Sequence, residues 1–218
     1  MTEGYSRRAL LERAGFFAAA AVLAELPGTL RVRGWVDDAE AATAGATRET
    51  FDGLAAFVVP GRDRFSRAQG VRTRRRGGVE AGAGRELVAA LDALMPGPQP
   101  FSAGVATILN QTALVVAPSS AHGTFASPFA NLSFRQKART FQLLEADQSP
   151  EAGPIRFLAG NLAGLTAFLA YSDAGVLDRR KRRLRARPIG WRLARYTGPA
   201  DGRRELKGYF EGRRKADA

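Results

Sequence analysis

The sequence predicts a mostly α-helical fold, with a single helical domain of about five helices and an irregular, basic C-terminal tail. Apolar residues recur three and four positions apart in several segments, which is the period of one helix face. Proline or glycine follows many of these segments and stops further helix. No segment shows the sustained alternation bounded by hairpin turns that strands of a β protein require.

The composition is that of a globular domain with additions at both ends. Of 218 residues, 45% are hydrophobic and 25% are charged, which predicts a packed core. The chain contains no cysteine, so disulfides, thiolate metal sites and cysteine nucleophiles are excluded. The predicted divisions are a twin-arginine signal or anchor at 1–28, a linker at 29–46, a helical domain at 47–177 and a basic, aromatic-containing docking tail at 178–218.

The N-terminal segment has the order of a signal peptide. Arg7 and Arg8 precede Leu10 and the apolar run 14–24, which is shorter than the roughly 20 residues of a membrane-spanning helix. The arginine pair and Leu10 resemble a twin-arginine signal and predict export by that machinery to the periplasm, the cell envelope or the medium. An amphipathic N-terminal helix with a chance arginine pair is the alternative. Because no small-residue cleavage site follows closely, the segment could also remain as an anchor.

The first predicted helix covers residues 48–58. Thr47 offers the side-chain oxygen of an N-cap residue, and Pro60 with Gly61 stops the helix. Its apolar face consists of Phe51, Leu54, Ala55 and Val58. Residues 61–83 are rich in Arg and Gly and hold too few apolar residues for an amphipathic element, which predicts a mobile loop.

Two further helices are predicted before the middle of the chain. Residues 85–95 carry apolar side chains at helical spacing, and Pro96 ends that helix because proline cannot continue it. Residues 102–116 favour a third helix, although their Thr and Val content leaves a strand open. The residues that set the two faces are Leu87, Val88, Leu91, Leu94, Val105, Ile108, Leu109, Thr112, Val115 and Val116.

Capping signals mark the last two helices. Ser133 and Gln136 have the spacing of a capping box, in which two backbone donors at a helix start are satisfied reciprocally. The face predicted after it consists of Phe134, Ala138, Phe141 and Leu144. Pro154 suits the first turn of a fifth helix that continues to about Ser172. Its apolar stripe consists of Ile155, Leu158, Leu162, Leu165 and Leu169.

The search for chemistry predicts no catalytic, cofactor-binding or metal-binding residue. His122 follows Ser119 and Ser120 without a nucleophile-elbow pattern, so it is interpreted as a loop histidine in preference to half of a catalytic dyad. The glycine-rich stretch 78–84 follows no predicted strand and lacks the order of a dinucleotide site. Carboxylates without histidine neighbours or calcium-loop spacing are interpreted as surface groups. These are Asp37, Asp38, Glu145 and Asp147.

The basicity of the chain is concentrated in its tail. Residues 178–218 hold 15 Lys and Arg against 5 Asp and Glu, and seven cations lie within residues 179–187. This predicts an acidic partner: a protein face, an anionic membrane surface or, improbable for an exported protein, nucleic acid. Arginine and aromatic residues are enriched in interface hot spots. The predicted partner-binding residues are Arg182, Arg183, Arg187, Trp191, Tyr196, Tyr209 and Phe210.

Two plainer interpretations of the tail remain open. The run 179–187 could be a solvated basic linker, and the aromatic residues beyond it could fold back onto the helices of the same chain and close their core.

The layout resembles the gluconate 2-dehydrogenase subunit 3 family. The resemblance runs from the signal to about Asp178 and is carried by Arg7 and Arg8, by residues 54–61, and by the helices at 134–144 and 157–171. The Arg- and Gly-rich segment 62–84 and the tail after Asp178 depart from the family pattern.

The resemblance implies a non-catalytic small subunit and an export and folding escort. Its partner would be a secreted flavin-dependent catalytic subunit of the glucose-methanol-choline type that lacks its own signal, so the folded pair would cross the membrane together. FAD would then lie in the partner and no cofactor in this chain. The residues leave two alternatives: an exported helical protein that binds an anionic membrane or polymer through its basic tail, and an enzyme that uses His122 or carboxylates.

Overall fold

The computed structural model describes residues 44–97, 99–146, 148, 152–178 and 180–196. As predicted, this part of the chain is mostly helical. Its α-helices are α1 Ala44–Val58, α2 Arg64–Ala68, α3 Ala83–Leu94, α4 Phe101–Val116, α5 Pro128–Asn131, α6 Phe134–Ala146, α7 Gly153–Tyr171 and α8 Ile189–Leu193. Short 3-10 helices occupy Pro118–His122 and Ala174–Val176. Strands β1 Leu177–Asp178 and β2 Arg183–Leu184 pair antiparallel.

Helix α1 lies at the centre of the fold. Its face of Phe51, Leu54 and Ala55 is fully buried, and the helix packs against α3, α4, α5 and α7. The helix begins at Ala44, earlier than predicted, so Thr47 lies inside the helix and is buried. The N-cap prediction for Thr47 was therefore wrong, because Ala46 and Thr47 are buried within a helix that begins before the local capping signal.

Helices α3 and α4 confirm two predictions. Leu87 and Leu91 of α3 are buried in the main core, as are Val105 and Leu109 of α4. The assignment of Val115 to the same face was wrong, because at the end of α4 this side chain turns to solvent and is 76% exposed. The segment that left a strand open is a helix of 16 residues. The β-branched content was overridden because the apolar residues recur at helical spacing and pack against α1 and α6.

Helix α6 begins with the predicted capping box, and its buried face agrees with the predicted one at Phe141 and Leu144 but not at Phe134. The Ser133 amide donates to Gln136 Oε1 at 2.9 Å, and the Gln136 amide lies 3.4 Å from Ser133 Oγ. Lys137 is fully buried and Phe141 is 9% exposed, while Phe134 is 43% exposed. The predicted stripe placed Phe134 inside and ignored Lys137, because a side chain that finds hydrogen-bond partners in the core cannot be recognised from apolar periodicity alone.

Helix α7 begins with Pro154 in its first turn, as predicted, and ends at Tyr171. Leu162 and Leu169 are buried where α7 packs against α3 and α6. Across the described ranges, no helix combines the length and apolar character needed to cross a membrane.

Residues 61–83 were predicted to form a mobile loop, but several of them pack against the helical domain. They contain α2, whose N-cap Asp63 accepts a hydrogen bond from the Ser66 amide at 2.8 Å. Phe65 is buried and stacks on Phe125 with 4.4 Å between ring centroids. Gly77 and Gly78 press against the backbone of α1 and the turn after it. The Asp63 cap is a local signal, but Phe65, Gly77 and Gly78 pack against residues distant in the chain, which the sequence does not reveal.

The described part of the tail contains regular structure. The β1–β2 hairpin follows α7, and α8 packs against the C-terminal end of α7. Gly190 lies against the Tyr171 backbone so closely that a Cβ there would come within 2.5 Å of it. Residues up to 196 therefore fold back on the helical domain, as one of the two plainer interpretations expected.

Candidate functional site

The structure describes only some of the predicted functional residues. Arg7, Arg8 and Leu10 of the export signal, and Tyr209 and Phe210 of the tail, lie outside the described residues. Arg182 and Arg183 lie in the hairpin, and the remaining three lie within α8 or close to its ends. These are Arg187, Trp191 and Tyr196.

The cationic side chains of the hairpin are exposed to solvent. Its turn is closed by the Lys181 amide, which donates to Asp178 Oδ1 at 2.9 Å. Arg182 has a positive φ of 50°, and Arg183 faces Asp178 in the strand register. Both arginines are exposed, so they are available to an acidic surface.

The residues around α8 form a compact cap. The Arg187 guanidinium donates to the Tyr196 carbonyl at 2.9 Å, and the Trp191 and Tyr196 rings meet edge to face at 5.1 Å. The Tyr196 amide donates to the Trp191 carbonyl at 2.7 Å. These three predicted residues are therefore brought together, but their contacts with each other also hold residues 187–196 in place.

Beside this cap lies a cleft of about 430 Å³, here called the arginine cleft. One wall comes from the segment around α2 and the other from α8 and the turn after it. Its lining residues are Arg62, Arg74, Arg75, Arg76, Ile189, Arg192, Leu193 and Arg195. None of the six arginines was among the predicted site residues. The Arg- and Gly-rich composition of residues 61–83 was the sequence signal that could have pointed to this cleft, but it was interpreted as a mobile loop.

Both walls of the arginine cleft are fixed to the helical domain. Leu193 packs against the main core, and Gly190 rests on the end of α7. On the other side, the Gly78 amide donates to the Val59 carbonyl at 2.8 Å. The Gly77 amide donates to Glu80 Oε2 at 2.7 Å. The backbone under the arginines is thus held in position, whereas their side chains reach outward.

The charge in the cleft is largely uncompensated. Arg62 Nε lies 3.8 Å from Glu80 Oε1, which is a long ion pair. In the part of the chain that the structure describes, no ion pair engages the other five arginines of the cleft. Because a guanidinium keeps its proton at any physiological pH, the cleft is a concentrated positive site. Such a site can bind anions; it offers no nucleophile or general base.

Lys137 is the other conspicuous cation. Its Nζ donates to the Gly53 carbonyl at 3.1 Å and to Gln69 Oε1 at 3.0 Å, and lies 5.5 Å from the centre of the Phe129 ring. Burial lowers the pKa of the Lys137 ammonium to about 7, and the negative charge of Asp63 opposes this shift. Its hydrogen bond to Gly53 joins α6 to α1. Since the side chain is fully buried, it has no access to a substrate.

The predicted loop histidine offers no assembled dyad. His122 ends an exposed 3-10 helix, and the buried Ser120 Oγ has no hydrogen-bond partner. Among the described residues, no group of three or more His, Cys, Asp and Glu side chains could hold a metal ion. No protein-family model, curated protein or solved structure matches this chain.

Proposed function

We propose that this chain is a non-catalytic small subunit that docks on a larger acidic partner through the surface formed by residues 180–196 and the arginine cleft. The partner would be the FAD-dependent catalytic subunit of a secreted dehydrogenase or oxidase of the glucose-methanol-choline type. The observation that carries the proposal is the joining of exposed arginines and aromatic side chains on one anchored surface. Electrostatic complementarity of this kind speeds association and sets orientation.

The anchoring of this surface supports docking. A segment that is ordered before binding loses less conformational entropy in the complex than a free tail would lose. Here the hairpin, α8 and the Trp191–Tyr196 contact hold the segment on the end of α7. Tyr171 and Tyr196 are each more than 40% exposed, which leaves aromatic area for a partner.

The proposal assigns separate roles to the two ends of the chain. Arg7, Arg8 and Leu10 would address the pair to the twin-arginine export machinery. The docking surface would retain the flavoprotein during export. FAD would belong to the partner, and the complex would be a heterodimer in the periplasm, the cell envelope or the medium.

The test is purification of the tagged full-length chain from its native host, with mass spectrometry and a flavin absorbance spectrum of the eluate. A stoichiometric flavoprotein is expected. The double variant Arg182→Glu and Arg183→Glu should release it. The matched control Arg135→Glu and Arg139→Glu, which changes two exposed arginines of α6, should retain it. Recovery of a colourless, unaccompanied chain under mild low-salt conditions would reject the proposal.

A second candidate is an exported helical protein that binds an anionic membrane or polymer. It is favoured by the hairpin turn, in which Arg180, Lys181, Arg182 and Arg183 are all exposed. Near an anionic bilayer each such cation contributes about 1 kcal/mol, and the attraction fades as salt is added. Co-sedimentation with anionic vesicles that disappears in high salt, together with the absence of a flavoprotein partner, would favour this candidate.

A further inference from the structure

We infer that the arginine cleft is a binding site for a small anion that carries two or more phosphate groups next to an apolar portion. This inference goes beyond the proposed function, because it assigns a small ligand to the cleft and is tested on the chain without a protein partner. It rests on the shape, charge and mixed lining of the cleft.

The shape favours a small molecule. A volume of about 430 Å³ lies within the range of roughly 300–1,000 Å³ that is typical of ligand pockets. The cleft is formed by two segments that are far apart in sequence, around residues 62–76 and 189–195. Their convergence creates a concave site, whereas a surface that binds an extended acidic polymer needs only a continuous row of cations.

The charge favours several phosphates. An arginine guanidinium binds a phosphate through two parallel hydrogen bonds, and this fork geometry makes arginine the preferred side chain for such groups. Six guanidinium groups provide more donors than one phosphate can accept. Bringing them together raises their mutual repulsion, which bound phosphate charges would relieve.

The backbone and Glu80 position these donors. Arg195 has a positive φ of 54°, a conformation that residues other than glycine rarely adopt. Glu80 Oε2 is occupied by the Gly77 amide, while Glu80 Oε1 is buried without a hydrogen-bond partner and faces Arg62 at 3.8 Å. The carboxylate therefore holds Arg62 on the cleft side without engaging it in a short bond, and the Arg62 donors stay available to a ligand.

The lining also contains an apolar patch. Ile189 and Leu193 are only partly buried and lie on the α8 wall between the arginines. A purely inorganic anion would leave this patch in contact with water. A nucleotide base or the acyl portion of a phospholipid would cover it, and these represent a soluble and a membrane source of the same clustered phosphates.

The test uses the full-length chain in about 0.15 M salt, where long-range attraction is largely screened. One arm titrates ATP and inorganic tripolyphosphate by calorimetry. The other measures co-sedimentation with phosphatidylcholine vesicles that contain cardiolipin, a lipid with two phosphates in its headgroup. Saturable one-to-one binding is expected in at least one arm, with ATP tighter than tripolyphosphate if the apolar patch contributes.

Two double variants separate the cleft from general basicity. Arg75→Gln with Arg192→Gln removes one guanidinium from each wall, and Arg180→Gln with Arg183→Gln removes the same charge from the hairpin. The cleft variant should weaken binding at least about tenfold, since two charge-assisted contacts are lost, while the hairpin variant changes it less than about twofold. Circular dichroism checks that both variants remain folded.

A third variant distinguishes fork geometry from charge. Arg75→Lys with Arg192→Lys keeps both charges but loses the paired donors, and it should lie between the wild type and the glutamine variant. Binding in the soluble arm identifies a free phosphate ligand, and cleft-dependent binding to vesicles alone identifies a lipid. No saturable binding in either arm, or equal weakening by the cleft and hairpin variants, would overturn the inference.

Discussion

Two regions of this protein hold cations without a short carboxylate partner, and they do so in opposite ways. The side chain of Lys137 extends from α6 into the core towards α1, where two carbonyl oxygens accept its hydrogen bonds. The arginines of the cleft lie at the surface, where the described side chains provide only the long contact between Arg62 and Glu80. The first arrangement satisfies donors within the fold, and the second leaves them directed at solvent.

The difference follows from the chemistry of the two side chains. A buried lysine can lose its proton, and the pKa of Lys137 is lowered to about 7 by burial, so its charge need not persist in the core. Arginine keeps its charge under all such conditions, so a cluster of arginines has to remain hydrated or meet an anion. One cation is therefore part of the structure, whereas the cluster is suited to binding.

The largest expected effect comes from Lys137→Ala. The substitution removes a fully buried side chain together with its hydrogen bonds to the Gly53 carbonyl and to Gln69 Oε1. The loss in the free energy of unfolding should be about 3–5 kcal/mol, measured by urea denaturation. Arg139→Ala on the exposed side of the same helix is the control and should stay within about 0.5 kcal/mol. Similar losses in the two variants would show that Lys137 is not an integral part of the core.

A smaller effect is expected from pH. Between pH 7 and about 10.5, the unfolded chain keeps the Lys137 proton that the folded chain releases, so the free energy of unfolding should rise with pH. The rise should exceed about 1 kcal/mol, because a pKa difference of one between the two states is worth about 1.4 kcal/mol. Below pH 7 both states carry the proton, so Lys137 does not make the free energy of unfolding depend on pH there.

Lys137→Met provides the comparison for this pH dependence. Methionine fills much of the same volume and does not titrate, so the part of the pH dependence that comes from Lys137 should disappear. An unchanged slope between pH 7 and 10 in this variant would mean that other groups cause it.

The smallest effect is expected from relief of repulsion in the arginine cleft. Arg74→Gln with Arg76→Gln should raise the free energy of unfolding by about 0.5 kcal/mol in low salt, because two mutually repelling charges are removed. The gain should vanish near 0.5 M salt, where the Debye length is on the order of 4 Å and repulsion between the arginines is largely screened. Arg139→Gln is the control outside the cleft. A gain that persists in high salt would point to a cause other than charge.

Local signals were sufficient for most of the helices. The capping box at Ser133, the proline at 154 and the apolar spacing within α3, α4 and α7 act over one or two helical turns, so a sequence contains them directly. Errors arose where a helix end or face depended on distant partners. Thr47 was assigned as a cap although its turn is buried, and Phe134 was placed in the core where Lys137 lies.

The surface proposed for binding was predicted only in part. The basic run and the aromatic residues after it were recognised from composition, and Arg187, Trp191 and Tyr196 do come together around α8. The arginines of residues 62–76 were missed because their role depends on a wall supplied by α8, more than a hundred positions further along the chain.

By itself, the sequence determined the helical character, the approximate helix positions and the uneven distribution of charge, because these properties depend on neighbouring residues and on composition. The tertiary structure alone decided that a lysine enters the core and that two separate arginine segments form one cleft. Both outcomes depend on contacts between residues distant in the chain, and the free energy of such contacts is set by packing, hydrogen bonding and desolvation that no local pattern encodes.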